Sequence, residues 1–312
     1  MLLRARLLAC VTAAAAMSVS VPASGPIDTA IHVWGSAATA AAFPWAEGGE
    51  PPAEIDASPD VFRARAAATG TAGALIVQPI NYKFDHAFVA AAIAGSGGFY
   101  KGMALADPSQ VPAAAVASLR ALRKAGFCSV RFNPYLEDGW LAGPTAAALF
   151  GEAGVLGMPV GVMCFKGLSL HATDIAALCA SSPETAVVLD HGAFVKDDDA
   201  AGFELLLSLL RDHPSIYVKL SAFFRCTSEE APGPALARRI EDLRDAVGAS
   251  RLMYGSDFPY VETAGQPAEG YAAGLEFVST GVRWETGELD QVLRGTAEAV
   301  FGRWGVDEGS EL

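Results

Sequence analysis

The chain has 312 residues, 52% of them hydrophobic and 18% charged, which allows one large or two small domains with ample core. A formal charge of −13 argues against nucleic acid or an anionic membrane as a partner, because both attract basic surfaces. No apolar run reaches the roughly 20 residues that a membrane span needs, and solenoid-type repeats are absent.

Residues 1–25, MLLRARLLACVTAAAAMSVSVPASG, stand apart: Arg4 and Arg6 precede a small-residue apolar run, and the first acidic residue is Asp28. That pattern predicts a cleavable targeting segment leading to an organelle or the secretory route. From residue 26 the chain alternates apolar runs of strand length with amphipathic segments. The runs are 27–33, 73–78, 99–105, 127–132, 159–164, 185–190, 215–221 and 251–256. Most are uniformly apolar and rich in Val, Ile and Leu, as parallel strands covered on both faces should be. Between them, Phe203, Leu206, Leu207 and Leu210 form one stripe at helical spacing, and Leu236, Ile240, Leu243 and Val247 another. Ser58-Pro59 and Asp107-Pro108 read as helix starts, a capping residue followed by proline in the first turn.

Eight strand–helix units over 26–304 predict a single (β/α)₈ TIM barrel, with 305–312 as a C-terminal tail. An open doubly wound sheet would carry a Gly-rich phosphate turn after its first strand, and none is present. Residues 286–304 are expected to close the far end of the barrel. The long connection 34–57, containing FPWAEGGEPP, is expected to cover the active end. Cys128, Cys164, Cys179 and Cys226 are widely spaced with no C-x-x-C, so buried free thiols are expected.

Barrel chemistry is read at the C-terminal ends of the strands. Asp28, Ala30 and His32 end the first strand, and Arg131 and Asn133 the fourth. Cys164 and Lys166 end the fifth, and Asp190 and His191 the sixth. Lys219, Ser221 and Arg225 follow the seventh, and Ser256 and Asp257 the eighth. His32, His191, Arg131, Lys219, Arg225 and Asp257 converging on one rim define a candidate site, since unpaired polar groups are costly beside a dry core.

The blocks IDTAIHVW (27–34), ALIVQPI (74–80), GMALADP (102–108), VRFNPYL (130–136), VLDHGAF (188–194), YVKLSAFFR (217–225) and RLMYGSDFP (251–259) resemble, in order, those of the amidohydrolase-related TIM-barrel hydrolases. The resemblance implies hydrolysis of lactones and related cyclic esters or amides, or decarboxylation of aromatic and unsaturated acids, with or without one divalent metal. It maps the family's sixth-strand histidine onto His191 and its eighth-strand aspartate onto Asp257. The His-x-His at the end of strand one reads Ala30-Ile31-His32 here, and the fifth strand offers Met163 and Cys164 where a histidine is usual. The nominal metal set is thus reduced to His32, His191 and Asp257.

The leading expectation is a hydrolase of a small anionic lactone, ester or amide that requires no cofactor. Asp257 is its general base, His191 steadies the oxyanion, and Arg131 and Lys219 hold a substrate carboxylate. Arg225 and His86 are further candidates for substrate binding. Two alternatives stay open: a mononuclear zinc or manganese hydrolase or decarboxylase, and a barrel that has lost catalysis and only binds. A homodimer formed through outer helices is also an expectation.

Overall fold

A computed structural model describes residues 24–36, 39, 41–48, 55–263 and 270–305. The predicted targeting segment lies outside them except for its last two residues, and so does most of the tail.

All eight expected strands form, trimmed at their ends. They are β1 (Ile27–Ile31), β2 (Gly73–Val77), β3 (Tyr100–Leu105), β4 (Phe127–Phe132), β5 (Val160–Val162), β6 (Val187–Leu189), β7 (Ile216–Leu220) and β8 (Leu252–Tyr254). Each pairs in parallel with the next, in the order β1 to β8. Every residue of β1, β2, β4, β5, β6 and β8 is buried, which is why these strands lack a polar face.

Helices alternate with the strands. They are α1 (Pro59–Thr69), α2 (Ala87–Ala94), α3 (Pro112–Lys124), α4 (Pro144–Val155), α5 (Ala172–Ser181), α6 (Ala200–Asp212) and α7 (Pro234–Val247). α1 starts as expected: the Ser58 hydroxyl accepts the Val61 amide, and Gly70 ends the helix in the left-handed region at φ 70°. α3 does not start at Asp107. That carboxylate accepts the Ser109 amide (3.0 Å) and hydroxyl (2.6 Å), which closes a turn, and the helix begins only at Pro112.

Closure of the barrel is irregular. The β1–β2 register shifts between Asp28 and Ile31. Ile27 belongs to the inner cluster with Leu75, Met103 and Met253, whereas Ile31 and Val33 pack in the outer layer with Ile76. The extra residue therefore turns Ala30 and His32 toward the lumen. β1 and β8 share no regular ladder. The segment after β8 completes the seam instead, with Asp257 N–H donating to Ala30 O (2.8 Å) and His32 N–H to Phe258 O (2.7 Å). The N-terminal end is stoppered, as expected, by helical residues 288–301 and by Trp304. The Trp304 indole donates to Ala74 O (3.4 Å) and lies so close to Gly73 that a Cβ there would sit 2.2 Å from it. Any larger residue at 73 would displace the plug.

The described parts of the long first loop lie beside the mouth. Trp34 packs edge-on to Trp45 and against Tyr260, while Gly35 N–H donates to the Tyr82 hydroxyl (2.9 Å). Cys164, Cys179 and Cys226 are buried free thiols, and Cys128 is buried with its sulfur 3.6 Å from Gly102 O. Among the described residues no helix is long and apolar enough to cross a membrane.

Candidate active site

Asp257 stands three residues beyond β8, 2% exposed, in the left-handed region at φ 70°. A non-glycine residue adopts that conformation at a cost and keeps it only when its surroundings over-determine it. Oδ1 faces two imidazoles, His32 Nε2 at 3.4 Å and His191 Nε2 at 3.6 Å. Oδ2 accepts from Arg225 Nε at 3.2 Å. Burial works to raise the Asp257 pKa, but His191, His32 and Arg225 outweigh it and hold the carboxyl below its ordinary value. It is ionised at neutral pH.

The two histidines are held from behind. His32 Nδ1 lies 3.0 Å from Val77 O, and since a carbonyl only accepts, that nitrogen carries the proton. Nε2 is then the ring nitrogen that faces Asp257. His191 sits at φ 53° just after β6, with Nδ1 2.8 Å from the Ser221 hydroxyl and Phe194 edge-on at 5.0 Å. Burial pushes its pKa down to about 4 despite the opposing pull of Asp257 and Asp190, so the ring is neutral at pH 7. Tyr260 packs edge-on to His32 (5.5 Å), and the Arg225 guanidinium lies over both Phe224 and Tyr260.

A second charged group lies deeper. Arg131 donates through Nε (3.1 Å) and a terminal nitrogen (2.6 Å) to Asp190 Oδ2, and Lys219 Nζ lies 3.0 Å from Oδ1. Burial works to raise the Asp190 pKa, and the two cations overwhelm it, leaving the carboxyl far below the usual range. Lys219, expected as a substrate contact, is completely buried with its ammonium on Asp190. Arg131, 6% exposed, is likewise directed at Asp190. Of the expected cations, Arg225 alone keeps substantial access, with 30% of its side chain exposed.

His86 does not join the site. Its Nε2 accepts the Leu105 amide (3.0 Å) and its ring stands edge-on to Phe127 in the helix layer, where burial lowers its pKa to about 4. It lines an outer cavity together with residues of α3, among them Ser118 and Leu119. Helix capping residues and rim residues both follow strands, so sequence position could not separate the two roles. Three contributors went unassigned in the sequence: Ser221, Phe194 and Tyr260. Only Ser221 carried a signal, standing two residues after Lys219 and so on the same strand face.

The donor set does not fit a mononuclear metal. Among the described residues no three His, Cys, Asp or Glu side chains are arranged to hold an ion. Position 30 offers only a methyl group. Cys164 is fully buried, and burial together with Asp190 pushes its thiol up to about 12, so it supplies no thiolate. Asp257 Oδ2 is already taken by a guanidinium. The set His32, His191 and Asp257, expected as ligands if a metal binds, instead turns two imidazole nitrogens toward one carboxylate oxygen.

Eight parallel strands alternating with helices, with the polar cluster at their C-terminal rim, give the architecture of a TIM-barrel enzyme. The amidohydrolase family profile matches residues 27–303, and the chain belongs to that family of enzymes. It is 30% identical over 138 residues to the L-fucono-1,5-lactonase of Burkholderia ambifaria, a match covering 41% of this chain and 44% of that protein. The chain thus matches less than half the length of that curated relative. A probable 2-pyrone-4,6-dicarboxylic acid hydrolase from Acinetobacter baumannii, solved with citric acid bound, superposes with a TM-score of 0.73 at 18% identity over 90% of this chain and 100% of that one. An amidohydrolase from Burkholderia multivorans with bound zinc gives a TM-score of 0.64 at 19% identity over 89% and 99%. At these identities the two structural likenesses define the fold.

Proposed function

We propose that the protein hydrolyses a small carboxylated lactone, with Asp257 as general base. One observation carries the reading: a single carboxylate oxygen, on a backbone held in the left-handed region, is faced by two imidazole nitrogens at 3.4 and 3.6 Å. Both Asp257 Oδ1 and His32 Nε2 are acceptors in the neutral-ring state. A water donating one hydrogen to each satisfies the pair and points its oxygen lone pair into the lumen. As that oxygen attacks the carbonyl carbon, its proton passes to Asp257. With the Ser221 hydroxyl donating to Nδ1, neutral His191 carries its proton on Nε2 and donates to the developing oxyanion. Collapse of the tetrahedral intermediate breaks the ring C–O bond, and the leaving alkoxide recovers the proton from Asp257. Arg225, whose Nε is occupied by Asp257, has its terminal nitrogens available for the substrate carboxylate.

The lactonase named among the relatives supports this class of reaction, as does the citrate in the Acinetobacter protein, a small polycarboxylate. The test is a screen of L-fucono-1,5-lactone and 2-pyrone-4,6-dicarboxylate, each with and without chelator and added zinc or manganese. Asp257→Asn should lower kcat by about 10²–10⁴-fold, the usual worth of a general base, with the fold intact. Wild-type turnover by that variant overturns the assignment of the base. Activity that disappears with chelator and returns with metal favours the metal-dependent alternative.

A further inference from the structure

Asp28 is fully buried at the β1 irregularity, and the mechanism above gives it no part. Its Oδ1 accepts two backbone amides: that of Ser256 across the seam (2.9 Å) and that of Ala30 in its own strand (3.1 Å). These amides flank the catalytic turn. Ala30 O accepts the Asp257 amide at 2.8 Å, and the Ser256 hydroxyl accepts the Phe258 amide at 2.9 Å. Each of these backbone ties on the Asp257 turn therefore leads, directly or through one residue, to the Asp28 carboxylate. This lies where β1 and β8 have no ladder of their own to set their relative position.

Burial works against this arrangement. It raises the Asp28 pKa to about 6, although the contacts with Ser256 and Ala30 oppose the rise. A buried carboxylate is a costly way to join two strands that a regular ladder would join without a side chain. The cost is matched by a specific need nearby, because Asp257 at φ 70° has to be held in a conformation it would otherwise leave.

We propose that Asp28 is a positioning residue, which keeps the Asp257 carboxylate in its reactive orientation by gripping the Ser256 and Ala30 amides together. The proposal rests on Asp257 as the base, and its test separates the two. Asp28→Ala removes the grip, and Asp28→Asn retains an acceptor oxygen. Thr29→Val serves as a seam control, because it deletes the neighbouring bond from the Thr29 hydroxyl to Tyr254 O (2.6 Å) without touching the catalytic turn.

With whichever screened lactone is turned over, Asp28→Ala should lower kcat about 10²-fold while KM moves less than about threefold, as misplacement of a catalytic group does. Asp28→Asn should restore kcat to within about fivefold of the parent, and Thr29→Val should lower Tm while keeping kcat. Hydrogen exchange of the 255–258 amides should quicken in Asp28→Ala and not in Thr29→Val. If Asp28→Ala does not fold, Asp28→Ser, too short to reach both amides, replaces it. Unchanged exchange at 255–258, or a kcat loss that Asn does not rescue, overturns the proposal. Should Asp257→Asn stay active, the base assignment fails alone, and the exchange measurement still judges the grip.

Discussion

Two buried carboxylates at the same end of one barrel behave in opposite ways. Asp190, just after β6, has each oxygen matched by a cation, Arg131 on one and Lys219 on the other, and is fully buried. Asp257, after β8, is equally hidden but has one cation, two imidazoles and a strained backbone. Charge and burial are shared, so neither marks the reactive group. The difference lies in the partners: each Asp190 oxygen lies beside a cation, whereas Asp257 has only Oδ2 on a cation and turns Oδ1 to two imidazole nitrogens. On the proposed reading, the first group holds the barrel and the second acts.

The comparison can be broken most directly by exchanging the consequences of losing each group. Asp257→Asn should cost about 10²–10⁴ in kcat while leaving Tm nearly unchanged, as read by steady-state kinetics and thermal melting. Asp190→Asn should do the reverse in kind, losing about 3–5 kcal/mol of stability in a urea melt, because two cations are left buried without their counter-charge. If Asp190→Asn instead melts like the parent and only KM rises, the deep group is a binding element after all. Arg225→Ala should raise KM for a carboxylated lactone by about tenfold and affect an uncharged lactone less, a difference that isolates the substrate charge.

The acid limb of stability sharpens the same contrast. His86 and His191 each have a folded pKa of about 4 against 6.5 for an unperturbed histidine, so the unfolded chain binds their protons first. Their contribution is fully present above about pH 6.5 and is lost as pH falls toward 4. Asp28 works in the other direction: raised from 3.8 to about 6, it favours the folded state at low pH and loses that contribution as pH rises through the same window. Two groups against one predict a lower Tm at pH 5 than at pH 7, and His86→Asn should flatten that slope without changing kcat. The smallest expected effect is that of Ser221→Ala, about tenfold or less in kcat, since it frees the His191 ring without removing it.

Much of this was legible in the order of residues. Uniformly apolar runs at regular spacing determined a parallel barrel, because a strand covered on both faces has no polar side. The C-terminal ends of those runs marked the rim, which is why Asp257, His191 and His32 stand out in the sequence alone. The start of α1 was equally local, a matter of Ser58, Pro59 and the amide they expose. Asp107-Pro108 offered the same pattern and failed, because the Asp107 carboxylate found nearer donors in Ser109.

Tertiary structure alone decided partners. Arg131 meets a carboxylate 59 positions away, and Asp28 meets an amide 228 positions away. Strand periodicity says which face a side chain takes but not who stands opposite, so position alone could not tell whether Lys219 and Arg131 face a substrate or the Asp190 carboxylate that stands between them. The β1 irregularity was equally hidden, since one extra residue changes the face of Ala30 and His32 without changing composition. His86 went astray for the same reason: a histidine after a strand can turn into the lumen or out to the helices. The chain determined the barrel and its rim through local hydrophobicity and chirality. Which charges on that rim are spent on each other, and which remain for chemistry, is set by contacts that exist only once the ring of strands has closed.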